Sequence, residues 1–375
     1  MRFLHIADLH IGKIFDNVSL LDDQIYILNQ IADIAENEQA DAVLIAGDVY
    51  QRSAPQAEAM DVFDTFVTRL TSAGKKVFMI SGNHDSALRI SYFSSLIKNA
   101  GVYATEEFDG HLQTVTLKDE FGPLNIHLLP FLKPGQTRRV LPQANIETYT
   151  DALKAVFEVS PIDKDERNIL VCHQFVTGAL TSDSEESSVG GLDNVEASVF
   201  DGFDYVALGH IHKPQKMTRD TLRYAGSPLK YSFSEADDKK SVTIVDMGRK
   251  GEIKLKTVPL KPKRDVRRVE GMMDSLLQQP FSDDLVWVTV HDELLEPEAK
   301  NELRSSVFPN MCRFTVENSK TKLDLDVLAE EEAEDKSISD LFRDFYMKQN
   351  NNVPPSDKLM NLLTKVLDDM EVTAK

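Results

Sequence analysis

Cysteine and tryptophan are scarce in this chain, which has two cysteines, Cys172 and Cys312, and one tryptophan among 375 residues. The two cysteines lie far apart in the sequence and form no CxxC spacing. The sequence therefore indicates neither a disulfide framework nor a cysteine zinc site. We expect both cysteines to be reduced residues that serve packing.

Long apolar runs are missing as well. No stretch approaches the roughly 18 apolar residues that a membrane helix needs. The N-terminal segment MRFLHIADLH places Asp8 where a signal peptide would have its apolar core. Since 42% of the residues are hydrophobic and can fill a substantial core, we predict a folded cytoplasmic protein.

Positive charge is the third shortage: 42 Lys and Arg stand against 61 Asp and Glu, a formal net charge of −19. Such a charge repels phosphates at long range, which argues against a protein that coats nucleic acid by net charge alone. A local basic surface, bound divalent metals or a basic partner would still permit a nucleic-acid enzyme. The sequence also lacks GxxxxGK[ST], which excludes a P-loop ATPase.

Five short apolar runs, each ending at polar residues, organise the first two-thirds of the chain. RFLHIA leads to Asp8, AVLIAG to Asp48, KVFMISG to Asn83, NILVC to His173 and YVALG to His210. Such runs predict strands buried on both faces of a layered α/β fold. LDDQIYILNQIADIAENE and QAEAMDVFDTFVTRLTSAG have apolar residues at spacings of three and four, which predicts helices between the first three strands.

The second helix is predicted to end at Gly74. Beyond the last apolar runs the character of the sequence changes. We predict a main domain at 1–265, a small α+β capping domain at 266–320, an acidic linker at 321–336 and C-terminal helices at 337–375. The basic segment KPKRDVRR at 261–268 either contacts phosphates or is a solvated connector. TSDSEESSVGG at 181–191 is predicted to be a mobile loop.

The polar residues at the strand ends form a candidate metal site, and five of the nine histidines belong to it. In an extended chain the i, i+2 spacing places both side chains of a pair on one face. Eight donors exceed the needs of one tetrahedral ion and suit two divalent ions that share a carboxylate. The set comprises Asp8, His10, Asp48, Asn83, His84, His173, His210 and His212.

Two metal ions roughly 3.5–4 Å apart activate water and stabilise an in-line phosphoryl displacement, so a phosphoester is the natural substrate class. Asp8 with His10 is by itself a weak signal, and Asp48 alone would also fit a helix N-cap. GNHD and GHIH are stronger signals. The other histidines give no such signal: His5 and His127 lie inside apolar strands and are predicted to be hydrogen-bonded core residues, while His111 and His291 have no motif around them.

The order DxH, GD, GNHD, H, GHxH resembles that of the calcineurin-like metallophosphoesterases. Their fold, which this resemblance implies here, is a two-sheet sandwich flanked by helices with a two-metal centre. Longer stretches resemble the Mre-type nucleases of double-strand break repair, densely over residues 1–246 and loosely beyond. These stretches are HIADLHIGK, AGDVYQRSAP, SGNHDSALR, SVGGLD, FDYVALGHIHKPQ and AGSPLKYSFSEADDKKSV.

The resemblance implies how the ligands are divided between the two ions. One ion would be held by Asp8, His10, Asp48 and His212, and the second by Asp48, Asn83, His173 and His210, with Asp48 bridging. It also implies that His84 is catalytic rather than a ligand. The resemblance implies manganese as the metal. Because carboxylates suit manganese and imidazoles suit iron or zinc, the mixed set of ligands does not select one metal, and magnesium, iron and zinc stay open.

The resemblance further implies a DNA nuclease with 3′–5′ exonuclease activity on duplexes and endonuclease activity on single strands and hairpins. It would depend on ATP through a coiled-coil ATPase partner and act in DNA repair, recombination and replication. The ATPase would dock on the C-terminal helices, and a homodimer within a heterotetramer is implied. One face of the first of these helices carries Ile338, Leu341, Phe342, Phe345 and Tyr346.

Two other function classes stay open. A phosphatase or cyclic-nucleotide phosphodiesterase of the same superfamily is disfavoured, because GDVYQRS and GNHD differ from the GDxVDRG and GNHE of the phosphatases. A scaffold that has lost catalysis is disfavoured by the complete set of ligands.

Overall fold

The computed structural model describes residues 1–92, 94–185 and 194–319, and beyond them residues 321, 342–343, 346–347, 354–356, 358–360 and 362–363. Apart from residue 321, the predicted acidic linker at 321–336 lies outside the described residues, as do most residues of the predicted C-terminal helices. Within the described part of the chain, no helix is both long enough and apolar enough to cross a membrane.

Nineteen strands are numbered along the described chain. They are β1 (Arg2–Ile6), β2 (Ile14–Phe15), β3 (Val18–Ser19), β4 (Ala42–Ala46), β5 (Lys76–Ile80), β6 (Val102–Ala104), β7 (Gln113–Asp119), β8 (Gly122–Leu129), β9 (Arg167–His173), β10 (Phe175–Val176), β11 (Asn194–Val195), β12 (Tyr205–Gly209), β13 (Gln215–Lys216), β14 (Leu222–Tyr224), β15 (Ser241–Met247), β16 (Ile253–Pro259), β17 (Val266–Gly271), β18 (Leu285–Val290) and β19 (Met311–Val316).

Eight α-helices are found in the same residues. They are α1 (Leu21–Asn37), α2 (Ala57–Ser72), α3 (Ala87–Ile90), α4 (Ser94–Ile97), α5 (Pro134–Val140), α6 (Tyr149–Val159), α7 (Met273–Leu277) and α8 (Ala299–Ser306). The five predicted strands are confirmed as β1, β4, β5, β9 and β12, and the two predicted helices as α1 and α2. Gly74 has φ +75° directly after α2, as its predicted place at the helix end requires.

Two six-stranded sheets form the main part of the chain. The first has the order β16-β15-β1-β4-β5-β6, in which β1, β4, β5 and β6 run parallel. The second has the order β13-β14-β12-β9-β8-β7, in which β14, β12, β9 and β8 run parallel. Because parallel strands end at the same edge of their sheet, each sheet brings the loops that follow its strands together.

The two sheets pack face to face. Phe3, Leu44 and Phe78 of the first sheet belong to the same buried cluster as Ile126 and Val171 of the second. The outer face of the first sheet is covered by α1 and α2, and that of the second by α6. The predicted two-sheet sandwich flanked by helices is confirmed.

The chain divides into two compact units. The first comprises Met1–Val269, Gln279–Val288 and Glu302–Arg313, and the second comprises Glu270–Gln278, Thr289–Asn301 and the described residues within Phe314–Lys375. In the second unit, Met273 N donates to Asp292 Oδ2 and Glu317 N donates to Val290 O. The domain boundaries expected from the sequence remain a prediction.

Two arginines of the basic segment 261–268 are paired with carboxylates. Arg264 forms an ion pair with the buried Asp23, and Arg267 lies 2.7 Å from Asp284. Arg268 lies over the ring of Trp287, at 5.5 Å from its centroid. Lys261, Lys263 and Arg268 are exposed, so a phosphate contact at this segment stays a prediction.

Candidate metal centre

All eight candidate site residues lie at the ends of five parallel strands. In the first sheet Asp8 and His10 follow β1, Asp48 follows β4, and Asn83 and His84 follow β5. In the second sheet His173 ends β9, while His210 and His212 follow β12. The two sheets thus contribute to one centre from both sides.

The expected geometry of the i, i+2 pairs is wrong. The chain is not extended at these positions: φ is +54° at Asp8, +44° at His10 and +105° at His210, and Asp48 has φ +50°. Residues other than glycine rarely adopt such angles, which cost free energy and persist where the surrounding structure fixes them. The pairs converge on one point because the chain turns sharply after each strand.

Glycines before the candidate ligands permit close approach between the loops. A Cβ atom on Gly209 would lie 1.9 Å from Ala46 O, and one on Gly82 would lie 2.1 Å from Asp48 Oδ1. Neither distance is possible between atoms that are not bonded to each other. The glycines in GNHD and GHIH are therefore required by packing between the site loops.

Asp48 lies at the middle of the centre. Its Oδ2 atom is 3.6 Å from His10 Nε2 and 3.3 Å from His173 Nε2. Its Oδ1 atom accepts a hydrogen bond of 3.0 Å from the backbone N–H of His84. One carboxylate oxygen thus faces imidazoles on both sides, as a ligand shared by two ions must.

The first group of donors surrounds His10. The Nε2 atoms of His10 and His212 lie 3.1 Å apart, and Asp8, His10 and His212 each place a donor atom within 4.8 Å of the others. Asp8 is fully buried, and its Oδ2 atom has no hydrogen-bond partner. A buried carboxylate oxygen without a partner is costly, so this position favours a cation.

The second group surrounds Asn83. Its Oδ1 atom lies 3.0 Å from His173 Nε2 and 3.0 Å from His210 Nδ1. His173 Nδ1 donates to Ala46 O at 2.8 Å, which leaves Nε2 as the ring atom that faces Asn83 and Asp48. Hydrogen bonding of the second ring nitrogen to a carbonyl is typical of metal-binding histidines.

The electrostatics of the centre favour positive charge from a bound ion. Burial raises the pKa of Asp8 to about 7, against the opposing effect of His173 and His212. Burial lowers the pKa of His173, but Asp48 outweighs burial and raises this pKa to about 9. A position that stabilises a proton between an imidazole and a carboxylate also stabilises a metal ion.

Two other histidines are held neutral. Burial, reinforced by the neighbouring His173, lowers the pKa of His210 to about 3. Burial also places the pKa of His10 well below its usual value. A neutral imidazole keeps the lone pair that metal binding needs. The donor set of two carboxylates, one amide oxygen and four imidazoles therefore fits two divalent ions.

His84 is less buried than six of the other seven residues. Its side chain is half-buried, and its ring makes an edge contact with His10 at a centroid distance of 4.9 Å. One ring nitrogen lies within 4.8 Å of donor atoms of His10 and Asp48. The imidazole of His84 thus lies at the exposed side of the centre.

Three residues that hold the site loops had no role in the sequence prediction. Asp85 accepts hydrogen bonds of 3.0 Å from the backbone N–H groups of Val49, Tyr50 and Gly82. Gln24 donates to Leu9 O and His10 O, and Tyr231 OH donates to Leu9 O. Asp85 is visible in the sequence as the last residue of GNHD, whereas Gln24 and Tyr231 carry no motif.

The predictions for the remaining histidines agree with the structure. His5 is buried with Nδ1 2.9 Å from Tyr205 OH, and His127 is buried beside Thr114 and Asn168. His111 lies on the surface and His291 in the second unit. Both predicted core histidines are confirmed as hydrogen-bonded packing residues.

Comparison with known proteins gives two family matches. Residues 1–214 match the model described as calcineurin-like phosphoesterase. Residues 262–350 match the model described as type 5 capsule protein repressor C-terminal domain. Together the two models cover most of the chain.

A curated relative matches over nearly the full length. The SbcD subunit of nuclease SbcCD from Staphylococcus epidermidis (strain ATCC 12228 / FDA PCI 1200) is 31% identical over 381 residues, which covers 98% of this chain and 99% of the relative. Solved structures are more distant. TT1561 of Thermus thermophilus is 13% identical with a TM-score of 0.40, covering 68% of this chain and 98% of that one. A dimetal phosphatase from Danio rerio is 14% identical with a TM-score of 0.38, covering 70% and 99%.

Proposed function

The chain belongs to the calcineurin-like phosphoesterases and, within them, to the SbcD family of SbcCD nuclease subunits, and from this premise we propose a specific activity. It is a manganese-dependent DNA nuclease subunit that hydrolyses phosphodiester bonds with two metal ions. It acts as a 3′–5′ exonuclease on duplex DNA and as an endonuclease on single strands and hairpins.

The observation that carries this proposal is the position of Asp48 between two groups of donors. We assign Asp8, His10, Asp48 and His212 to one ion, and Asp48, Asn83, His173 and His210 to the other. The distances from Asp48 Oδ2 to His10 Nε2 and His173 Nε2, 3.6 and 3.3 Å, support a shared carboxylate. When bound, such ions supply an activated water and charge stabilisation at the phosphorus.

The side chains of the protein complete the chemistry. Asn83 contributes a neutral oxygen, which limits the negative charge of a site that has to admit a phosphodiester. His84, at the exposed side of the centre, orients the scissile phosphate or protonates the leaving 3′ oxygen as a general acid. We therefore propose His84 as the catalytic residue and the other seven as ligands.

We propose an SbcC-type coiled-coil ATPase as the partner that makes nuclease activity depend on ATP. The chain has no GxxxxGK[ST] of its own. The docking segment expected at 337–375 falls mostly outside the described residues, so it remains a prediction. Cytoplasmic action in DNA repair, recombination and processing of hairpins at replication forks completes the proposal.

A homodimer within the heterotetramer is part of the proposal. Leu88 of α3, Tyr92 of the following turn and Leu96 of α4 are spaced four residues apart and are 73%, 67% and 66% exposed. Such a group of large apolar side chains on a surface supports an interaction with a second chain.

The decisive experiment is a nuclease assay of the chain with and without the ATPase partner, with manganese, on blunt-ended and hairpin DNA. We expect cleavage of both substrates and stimulation by partner and ATP. A generic aryl phosphodiester assayed beside the DNA distinguishes a nuclease from a small-molecule phosphodiesterase. Two bound metal ions without cleavage of any DNA would overturn the proposal and favour a scaffold.

A further inference from the structure

His212 is held at three of its atoms by a single hydrogen-bond network. Its backbone N–H donates to Glu185 Oε1 at 2.7 Å, and its carbonyl oxygen accepts from Lys240 Nζ at 2.8 Å. Its ring atom Nδ1 lies 2.6 Å from the hydroxyl oxygen of Ser184. Only Nε2 faces the other candidate ligands, at 3.1 Å from His10 Nε2.

The network is centred on Glu235, whose side chain is fully buried. Glu235 Oε1 accepts from Ser184 Oγ at 2.5 Å and from the backbone N–H of Tyr231 at 3.2 Å. Glu235 Oε2 accepts from Lys240 Nζ at 2.6 Å. Lys240 is itself buried and also donates to Ser227 Oγ at 3.0 Å, so its ammonium group is well satisfied.

The count of protons in this network determines the tautomer of His212. Glu235 is paired with Lys240 and is an acceptor only, so the single hydroxyl proton of Ser184 has to point to Glu235. If that proton pointed to His212, or to Ser182 Oγ at 2.8 Å, two oxygen acceptors would face each other at 2.5 Å. Ser184 Oγ therefore accepts, His212 Nδ1 carries the ring proton, and Nε2 keeps its lone pair.

We propose that Glu235 and Ser184 are positioning residues that fix the Nδ1–H tautomer of His212 and direct its Nε2 lone pair to one metal site. The inference rests on the proposed role of His212 as a ligand and on no assumption about the substrate. It also gives the described part of the loop expected at 181–191 a function, because Ser184 and Glu185 both bind His212.

Ser184→Ala is the most direct test, because it removes the hydroxyl and leaves the Glu235–Lys240 pair in place. We expect the affinity for one of the two manganese ions to fall about 10–100-fold, the range for loss of such supporting contacts. The affinity for the other ion should stay unchanged. Ser184→Thr, which keeps the hydroxyl, should restore binding. Ser94→Ala is the matched control, since Ser94 also donates to a carboxylate, Glu106, away from the centre.

A second readout detects the tautomer itself. In metal-free protein labelled with nitrogen-15 at histidine, the His212 ring should show the Nδ1–H pattern in the wild type and a mixture of tautomers in Ser184→Ala. Glu235→Gln should shift the same signal, and if that variant fails to fold, Ser184→Ala still decides. An unchanged signal, or equal loss of both ions, overturns the inference. A wild-type chain that binds two ions but cleaves no DNA contradicts the proposed function and leaves this inference standing.

Discussion

The Nε2 atoms of His10 and His212 lie 3.1 Å apart, although the two residues come from different sheets of the sandwich. His10 follows β1 of the first sheet and His212 follows β12 of the second. A metal ion that binds both imidazoles therefore links the two layers, and binding should stabilise the fold.

Manganese at a hundredfold excess over its dissociation constant should stabilise the chain by about 2.7 kcal/mol, because the unfolded chain does not assemble the site. The melting temperature should rise by several degrees on adding manganese to chelator-treated protein. Scanning fluorimetry measures the shift. The double variant His10→Ala, His212→Ala should lose much of the response, and an unchanged wild-type melting temperature would contradict the prediction.

Asp48→Asn should weaken both metal positions, because it removes the charge of the carboxylate that faces His10 and His173. His10→Ala should weaken mainly one position and leave about one ion per chain. Metal content measured on the purified variants distinguishes the two patterns. Asp33→Asn is the control, as it removes one carboxylate from an exposed pair with Arg69. Equal loss in Asp48→Asn and His10→Ala would rule out a bridging role.

His84→Gln and His84→Ala should retain both metal ions and lose about 10²–10⁴-fold in the cleavage rate, the usual contribution of a positioned acid. The measurement combines metal content with the single-turnover rate on duplex DNA. His111→Gln changes an exposed histidine outside the centre and serves as the control. Wild-type activity in a metal-replete His84 variant would exclude this residue from the mechanism.

Gly209→Ala should abolish metal binding or folding, because the added Cβ atom would lie 1.9 Å from Ala46 O. Gly135→Ala is a matched control: Gly135 also has an ordinary φ, and its nearest neighbour, Arg138 Nη2, is 3.8 Å from the added carbon. Gly135→Ala should be neutral or slightly stabilising, since alanine favours helix α5. Soluble expression and metal content of the two variants measure the outcome. If Gly209→Ala folds and binds metal as well as Gly135→Ala, the loops near Gly209 relax easily and the prediction is wrong.

The isolated chain should bind duplex DNA weakly, because its net charge is −19. We expect the affinity at physiological salt to rise at least about tenfold when the ATPase partner is present, with a steeper salt dependence. Fluorescence anisotropy of labelled duplex across a salt series measures both quantities. Equal affinity with and without the partner would indicate that the chain carries its own binding surface.

The strands that lead to Asp8, Asp48, Asn83, His173 and His210 were predictable because a continuous apolar run that ends at a polar residue has few other interpretations. The strand around His127 was predictable from its apolar sequence, but its place beside β9 in the second sheet was not. Its sequence, GPLNIHLL, contains His127 and ends without a polar motif, so nothing marked it as part of the same sheet. An apolar run predicts a buried strand, whereas a polar motif at its end also indicates where the strand lies in the sheet.

The set of clustered residues was predictable, but the backbone geometry that gathers them was not. The left-handed conformations of Asp8, His10, Asp48 and His210 are imposed by contacts between loops that are distant in sequence. The residues that support the ligands could not be predicted either, because their contacts also join segments that are distant in sequence. Glu235 lies 23 residues after His212 in the sequence, and nothing in SFSEADDKK indicates that its carboxylate is buried against Ser184.

The contact of Trp287 with Phe233 makes the chain optically informative. The indole is the only one in the sequence, and its ring meets Phe233 edge-on at 5.6 Å, with the guanidinium of Arg313 above it at 5.3 Å. Phe233 begins the short 3₁₀ turn that ends at Glu235. Intrinsic fluorescence therefore gives a label-free signal from one defined contact, adjacent to the turn that supports His212.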